Sequence, residues 1–299
     1  MYYIIYPTFY LLSLLPWRVL YFISDGVYGL IYYIFGYRKQ VVMNNLLIAF
    51  PEKTEKERLR IAKDFYHNFT DTFIETVKLI SVSDKEFDKR FSSNIEVVNA
   101  LYDTGKNAQM FTGHFFNWEF ANLGFAKNAK LPLVFVYLPL GSKAFNKIIV
   151  DLRGRYGSSM LSAGEFKNRF KEFVHGRYAL GLAADQNPSK PDNAYWIPFF
   201  NRLTPFFPGP EKGARSNDMV CLFGHFYKVK RGYYHFQFEV MTENPNDLEP
   251  GELTQRYVDL LEKAIRKKPA NYLWSHRRWK WEFDAEKHQA VGTLKRPER

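Results

Sequence analysis

The first 37 residues are almost entirely apolar and aromatic. They contain thirteen aromatic side chains and only two charged ones, Arg18 and Asp25. Tyr and Trp are typical of the membrane–water boundary. Pro16 and Gly26 interrupt the stretch, so neither half reaches the roughly 20 apolar residues that a spanning helix needs.

We therefore predict that residues 1–40 form an uncleaved helical membrane anchor. The segment would lie in the interface or cross the membrane once with a tilt. Arg38 and Lys39 follow at once. Basic residues at this position would keep the rest of the chain on the cytoplasmic side of the membrane. The alternative is an amphipathic hairpin buried in the core.

From Glu55 onward the apolar positions recur every three or four residues. This spacing predicts a helix of about 25 residues with one apolar stripe, which would pack on the main domain. The stripe consists of Ala62, Phe65, Phe69, Phe73, Val77 and Ile80.

Beyond that helix, short apolar runs alternate with longer amphipathic segments. Strands are predicted over residues 108–113, 131–138, 158–161, 178–184, 219–229 and 233–241, and helices over residues 117–129, 143–156, 165–174 and 253–267. Residues 230–232 join the last two strands and carry a hairpin signal. The alternation predicts an α/β fold with a mixed, mostly parallel sheet layered with helices. We find no internal repeat, and we interpret residues 41–299 as one catalytic domain.

Composition restricts the partners of the chain. Aromatic residues make up 18%, and 42 Lys and Arg exceed 31 Asp and Glu. An anionic partner with apolar parts is expected, either nucleic acid or an anionic membrane. The aromatic residues are densest where charge is absent, which favours the membrane. The single cysteine, Cys221, lies in an apolar run and is predicted to be a buried core thiol.

His114 and Glu119 are the candidate catalytic residues. His114 falls where a predicted strand ends and a helix begins, a usual position for catalytic groups in open α/β folds. A spacing of five places the two residues about 140° apart on a regular helix. They can meet only if His114 precedes the first turn, a break that Gly113 would permit. A carboxylate bonded to one imidazole nitrogen makes the other a base for a hydroxyl or water.

Several other segments combine basic and polar residues with turn signals. The candidates for substrate binding in these segments are Arg153, Arg155, Asp185, Gln186, Arg277 and Arg278. Taken alone, each segment also has a structural interpretation as a solvated face, a turn or stacked surface.

Taken in order, these segments resemble the late acyltransferases of lipid A biosynthesis. That family is a branch of the lysophospholipid acyltransferase superfamily, with its His-x4-Asp/Glu motif. The matching segments are Asn44-Asn45-Leu46, Phe50-Pro51-Glu52, Gly113-His114 with Glu119, Asp185-Gln186, Pro198-Phe199-Phe200, Thr204, Gly209 and residues 272–280. Asn187 and Asn201 stand where the family typically has Asp and Gly.

The resemblance implies a glycerolipid acyltransferase-like fold. It also implies an enzyme that moves a fatty acyl chain from acyl carrier protein to a hydroxyl of an anionic lipid A precursor. Such enzymes use no metal, no cofactor and no covalent acyl-enzyme. Lys and Arg concentrate again in residues 265–299, which could meet anionic headgroups or the acidic carrier protein.

The same resemblance implies roles for the candidate residues. His114 would be the general base, and Glu119 would orient it and stabilise its charge. Arg153 would bind the oxyanion or a phosphate, with Arg155 as its rival. Asp185, with Gln186 beside it, would orient a basic residue or position the acceptor. Arg277 and Arg278 would bind substrate phosphates or serve in packing.

Three other functions remain open at this point. The same chemistry could act on an aminolipid or lysolipid hydroxyl, or the dyad could hydrolyse a thioester with water. A basic nucleic-acid-binding module with stacking aromatics is the third. It predicts Lys and Arg interleaved with aromatics, whereas the N-terminal aromatics lack charge.

Overall fold

A seven-stranded sheet forms the centre of the computed structural model, which describes residues 2–288. Its strands are β1 (Phe91–Ser93), β2 (Ala108–Thr112), β3 (Leu133–Tyr137), β4 (Ser159–Ser162), β5 (Ala179–Ala183), β8 (Val220–Lys230) and β9 (Tyr233–Thr242), and β6 (Tyr195–Phe199) and β7 (Arg202–Phe206) form a separate antiparallel pair.

The order across the sheet is β1-β9-β8-β2-β5-β3-β4. Within it β8 and β9 are antiparallel, and every other neighbouring pair is parallel. The predicted mixed, mostly parallel α/β fold is therefore confirmed. The carboxyl ends of β2, β5 and β3 lie at one edge of the sheet, the edge where parallel α/β proteins usually bind ligands.

Helices surround this sheet. They are α1 (Tyr2–Ser13), α2 (Trp17–Gly29), α3 (Lys39–Ala49), α4 (Glu55–Leu79), α5 (Asp84–Arg90), α6 (Glu96–Leu101), α7 (Trp118–Asn128), α8 (Lys143–Arg153), α9 (Phe166–Phe173), α10 (Gly209–Ser216) and α11 (Glu252–Lys267). α7 contacts β1 and β9, α11 contacts β8 and β9, and α8 and α9 contact β4.

The long helix α4 begins at a capping box. The Thr54 side chain accepts a hydrogen bond from the Glu57 backbone, and the Glu57 side chain accepts one from the Thr54 backbone, which satisfies two donors at the helix start. Ala62 and Phe65 of the predicted stripe are fully buried, whereas Phe73 is half exposed. The helix is thus exposed over its first turns and buried along one face from Ala62 to Leu79, and Phe73 lies on its exposed side.

The sequence-predicted strands and helices all occur in the structure, with ends shifted by a few residues. Cys221 is fully buried, as predicted, and burial raises the pKa of its thiol to about 12. The pattern missed α3 and also the shorter elements α5, α6, α10, β1 and the β6–β7 pair. The elements other than α3 are short, and the prolines within β6 and β7 suggested turns.

The first 40 residues pack against α4 through hydrogen bonds as well as apolar contacts. The Ser24 hydroxyl donates to Asp71 over 2.8 Å, and the Tyr21 hydroxyl donates to Glu75 over 2.9 Å. The Lys78 ammonium donates to the carbonyl of Ser13 over 2.7 Å. These polar contacts hold α1 and α2 against α4.

A second face of the same segment is exposed and apolar. Its most exposed large residues are Tyr3, Ile4, Leu11, Phe22, Tyr33, Ile34 and Phe35. Among the described residues no single helix is long and apolar enough to span a membrane. Trp17–Phe35 and Lys39–Ala49 meet that criterion only as a pair, with a bend of 91° between them.

A glycine in α7 allows the helix to approach the sheet closely. A methyl group on Gly124 would overlap the ring of Phe91. We expect Gly124→Ala to destabilise the protein by about 1–3 kcal/mol, the usual cost of overpacking, although alanine is the better helix former. Denaturant unfolding would measure this free energy.

Gly26→Ala is the matched control for this substitution. Gly26 lies in the interior of α2, and a methyl group there meets nothing within 4 Å. We expect it to stabilise the protein by up to about 1 kcal/mol. Equal effects of the two substitutions would contradict the packing of α7 against β1.

Candidate active site

His114 follows the carboxyl end of β2, and Asp185 follows the carboxyl end of β5. Because β2 and β5 are parallel neighbours, with Thr112 beside Ala183, the two side chains emerge together. Nδ1 of His114 lies 2.6 Å from Oδ1 of Asp185, and the His114 backbone N–H donates to Oδ2 over 3.0 Å. Asp185 therefore fixes both the position and the ring of His114.

In this pair each residue stabilises the charged form of the other and so shifts its pKa. Burial alone would raise the pKa of Asp185, but the His114 ring and backbone and a hydrogen bond from Tyr272 lower it to about 2. Asp185 is thus ionised at neutral pH and accepts the Nδ1 proton. Burial lowers the pKa of His114, but the Asp185 charge and hydrogen bond outweigh it and raise this pKa above its ordinary value.

The opposite nitrogen of His114 faces a cavity. Its Nε2 lies 3.1 Å from the Gln186 side-chain nitrogen. With the proton held on Nδ1, Nε2 carries the lone pair and can accept a proton. This arrangement provides a general base whose carboxylate partner lies 71 residues away in the sequence.

The sequence predicted that Glu119 contacts His114, and the structure does not show this contact. His114 does precede the helix and Glu119 does lie in its first turn, as predicted. The Glu119 carboxylate, however, forms two hydrogen bonds with Arg153, to Nε over 2.8 Å and to Nη2 over 2.7 Å. A planar guanidinium matches a carboxylate better than an imidazole does, and Asp185 forms the contact with His114 that the sequence predicted for Glu119.

Gly113 also differs from its predicted role. Its φ is not in the left-handed region, so backbone freedom is not what the position requires. A methyl group at Gly113 would lie 2.7 Å from Leu261 and 3.1 Å from Phe115. The glycine is needed for the close approach of α11 to the loop after β2.

A buried polar network supports the start of α7. Asn117 accepts a hydrogen bond from the Glu119 backbone over 3.0 Å and donates to Glu75 over 3.0 Å. Glu75 is fully buried and also accepts from Tyr234 and Tyr21. Burial and the nearby Asp71 raise the pKa of Glu75. Sequence reasoning missed Glu75, whose only signal was a carboxylate on a helix otherwise burying apolar residues.

The segment from residue 271 to 278 runs along the loop that carries His114. The Leu273 backbone donates to the His114 carbonyl over 3.0 Å, and Phe115 pairs with Tyr272 as an isolated antiparallel bridge. Asn45 on α3 holds the other side by donating to the carbonyls of Trp274 and His276 over 2.7 Å each. These contacts give a structural reason for two of the segments that carry the family resemblance, the one around Asn45 and residues 272–280. Together the two segments fix the position of the loop that carries His114.

Three of the predicted binding arginines lie away from the cavity. Arg155 donates to the carbonyls of Leu79 and Val82. Arg278 is buried, donates to Asn187, and places its guanidinium 4.3 Å from the centroid of the Phe206 ring. Its role is packing. The Arg277 side chain is exposed in a separate cleft.

The cavity in front of His114 has a volume of about 700 Å³. Its polar lining includes His114, Glu119, Arg153 and Gln186, and its apolar lining includes Phe73, Phe125, Leu133, Phe135, Val136, Leu138, Leu140 and Ile149. Leu138 and Phe73 at its rim are exposed. The cavity lining is thus polar beside His114 and mostly apolar elsewhere.

A comparison with protein-family models identifies the family of the chain. The model of the bacterial lipid A biosynthesis acyltransferase family matches residues 1–281. The chain belongs to that family. The resemblance stated from the sequence motifs is therefore confirmed. No curated protein matches this acyltransferase closely enough to count as a relative.

No metal centre is indicated within residues 2–288 of this acyltransferase, since they hold no group of three or more His, Cys, Asp or Glu suited to one. The last part of the basic C-terminal region, residues 289–299, lies outside the described residues. The predicted domain boundary at residue 40 stays a prediction.

The buried ion pair between Glu119 and Arg153 should contribute to the free energy of unfolding. The Glu119 and Arg153 side chains are 3% and 14% exposed. Arg153→Met would leave a buried carboxylate unpaired, and we expect a loss of about 3–5 kcal/mol in the free energy of unfolding. Adding Glu119→Gln should restore most of it. Denaturant unfolding of the two single variants and the double variant measures this coupling.

Arg169→Met is the control, because Arg169 forms its ion pairs on the surface of α9. It should cost less than about 1 kcal/mol. Strictly additive effects of the Glu119 and Arg153 substitutions would contradict the pairing described above.

Proposed function

We propose that this acyltransferase moves a fatty acyl chain from acyl carrier protein to a hydroxyl of a lipid A precursor at the inner membrane. The observation that carries the mechanism is the His114–Asp185 pair at the polar end of an apolar cavity. A fatty acyl chain fits the apolar wall, which places its thioester at the polar end. Family membership supports the reaction class and the lipid.

His114 is the general base in this proposal. Nε2 takes the proton of the acceptor hydroxyl as its oxygen attacks the thioester carbonyl. Asp185 stabilises the imidazolium that forms, much as a carboxylate does in other histidine-based sites. The tetrahedral intermediate then expels the thiolate, which receives the proton back from His114. In this proposal the acceptor hydroxyl binds beside Nε2, in the position that the side-chain nitrogen of Gln186 takes in the structure.

Glu119 and Arg153 form the second functional pair. Glu119 accepts from Nε and from one N–H of Nη2, which leaves the other N–H of Nη2 and both on Nη1. Arg153 lines the cavity, and in this proposal its remaining donors bind the oxyanion or an anionic group of the acceptor. Glu119 acts by holding Arg153 rather than by orienting His114.

Membrane association is part of the proposal and rests on the exposed apolar face of residues 1–40. Leu138 and Leu140 at the cavity rim and Phe145 on α8 are also exposed, and Phe145 packs against Phe9 of α1. A lipid surface would cover both regions together. An acceptor held in that surface could then enter the cavity without crossing water.

The transfer reaction tests the proposal with purified protein, acyl carrier protein loaded with a fatty acid, and a lipid A precursor. We expect His114→Ala to lower the rate at least about 100-fold, and Glu119→Ala to lower it as well, because Arg153 loses its orientation. His175→Ala removes an exposed histidine and should leave the rate unchanged. Wild-type rates in the His114 and Glu119 variants would contradict the proposal.

The identity of the acceptor is tested by analysing the lipids of cells that lack the gene. Loss of one acyl chain from lipid A supports the lipid A precursor, whereas loss of an aminolipid assigns the same chemistry to another acceptor. Thioester loss without any acceptor, at a rate equal to transfer, would instead indicate a hydrolase.

A further inference from the structure

A second, smaller cleft lies beside the catalytic cavity. It has a volume of about 380 Å³ and is lined by basic side chains, Arg38, Arg277 and Lys280, together with His276. Asn187 lines both this cleft and the catalytic cavity. The cleft is therefore separated from the catalytic cavity by a shared wall.

No carboxylate within residues 2–288 neutralises the positive charges of the cleft. Among the described residues, Arg38, Arg277 and Lys280 form no ion pair with a carboxylate, and no Asp or Glu lines the cleft. Arg38 donates one N–H to the Ser275 carbonyl over 3.0 Å, which leaves further guanidinium donors. Three like charges around one concave site repel each other unless an anion binds between them.

His276 adds a polar group without a partner. Its Nδ1 is buried and has no hydrogen-bond partner among the described residues. Burial, with the nearby charges of Arg278 and Arg38, lowers its pKa to about 4, so the ring is neutral at neutral pH. A neutral ring can still donate one hydrogen bond. A buried polar atom left unpaired is costly unless a ligand satisfies it.

Hydrogen bonds fix the backbone of the segment that carries His276 and Arg277. Asn187 donates to the Arg277 carbonyl over 2.6 Å, and Asn45 donates to the His276 carbonyl. His276 and Arg277 therefore lie on a segment that is tied to the loop after β5 and to α3, the helix that Arg38 directly precedes. A preorganised group of donors loses little entropy when it binds an anion.

We propose that the cleft of Arg38, His276, Arg277 and Lys280 binds a phosphate ester of a substrate whose reacting end lies at His114. Guanidinium groups match phosphate oxygens in pairs, and the neighbouring cavity receives the acyl chain. This inference rests on the proposed function and deepens it. The phosphate belongs either to the pantetheine arm of the acyl donor or to the headgroup of the lipid acceptor.

The test compares wild-type protein with Arg277→Gln/Lys280→Gln. Both side chains are exposed, so the fold should be retained. The donor arm uses acyl-phosphopantetheine and acyl-pantetheine, and the acceptor arm uses a lipid A precursor with and without its phosphates. We expect KM to rise about 10- to 100-fold for the phosphorylated member of one pair. KM for the unphosphorylated member and kcat should stay nearly unchanged.

The arm that responds identifies the phosphate. Lys56→Gln/Arg60→Gln is the matched control, because it removes the same charge from the exposed start of α4 and should change neither KM. An equal change for the phosphorylated and unphosphorylated members of both pairs, or no change at all, would overturn the inference and leave the acyltransferase function intact.

A binding measurement separates this inference from the proposed function. Inorganic phosphate should raise the thermal unfolding midpoint of the wild-type protein, and should raise that of Arg277→Gln/Lys280→Gln much less. If the wild-type protein transferred no acyl chain, this comparison would still test the cleft. Equal stabilisation of both proteins by phosphate would refute the phosphate site.

Discussion

The parallel pairing of β2 with β5 is the constraint on which the active site depends. It places the ends of both strands at the same edge of the sheet, so that His114 and Asp185 meet although 71 residues separate them. Any shift of this register would move Asp185 away from the imidazole. The segment around Tyr272 runs along the loop of His114 and is itself held by Asn45 of α3. Helix α11 approaches the same loop at Gly113.

Three buried carboxylates have different tasks because their partners differ. Asp185 faces an imidazole and raises its pKa. Glu119 faces a guanidinium, which stays charged, so this pair provides a fixed hydrogen-bonding group. Glu75 faces hydroxyl and amide groups, and it links α2 to the loop before α7. Glu75 and Asn117 thus connect α2 to the first turn of α7, which carries Glu119.

The general arrangement could be predicted from the sequence, because it follows from periodicity. Alternating apolar runs indicated the sheet, and the position of His114 at a strand end indicated the site. The partner of His114 could not be predicted from spacing alone. Glu119 lies close in the sequence, but the choice between Glu119 and Asp185 depends on which strands are neighbours.

The sequence also could not show which of the candidate arginines faces the cavity. The three to compare are Arg153, Arg155 and Arg278. All three occur in segments with similar composition, yet only Arg153 lines the cavity, because α8 ends beside Glu119. Arg278 is buried against aromatic rings, and Arg155 binds backbone carbonyls. Composition indicates how many cations a chain has, whereas the packing of helices determines which of them can reach a substrate.

The central claim is that Asp185, rather than Glu119, orients and charges the catalytic base. The most direct test is a pH titration of the His114 ring by NMR in protein with nitrogen-15 histidine, with the signal assigned by its loss in His114→Gln. The wild-type pKa should lie above 6.5, the ordinary value for histidine. Asp185→Asn should lower the pKa below that value, because burial and Arg153 then dominate, and Glu119→Gln should lower it less. A pKa that falls in Glu119→Gln but is unchanged in Asp185→Asn would contradict the account.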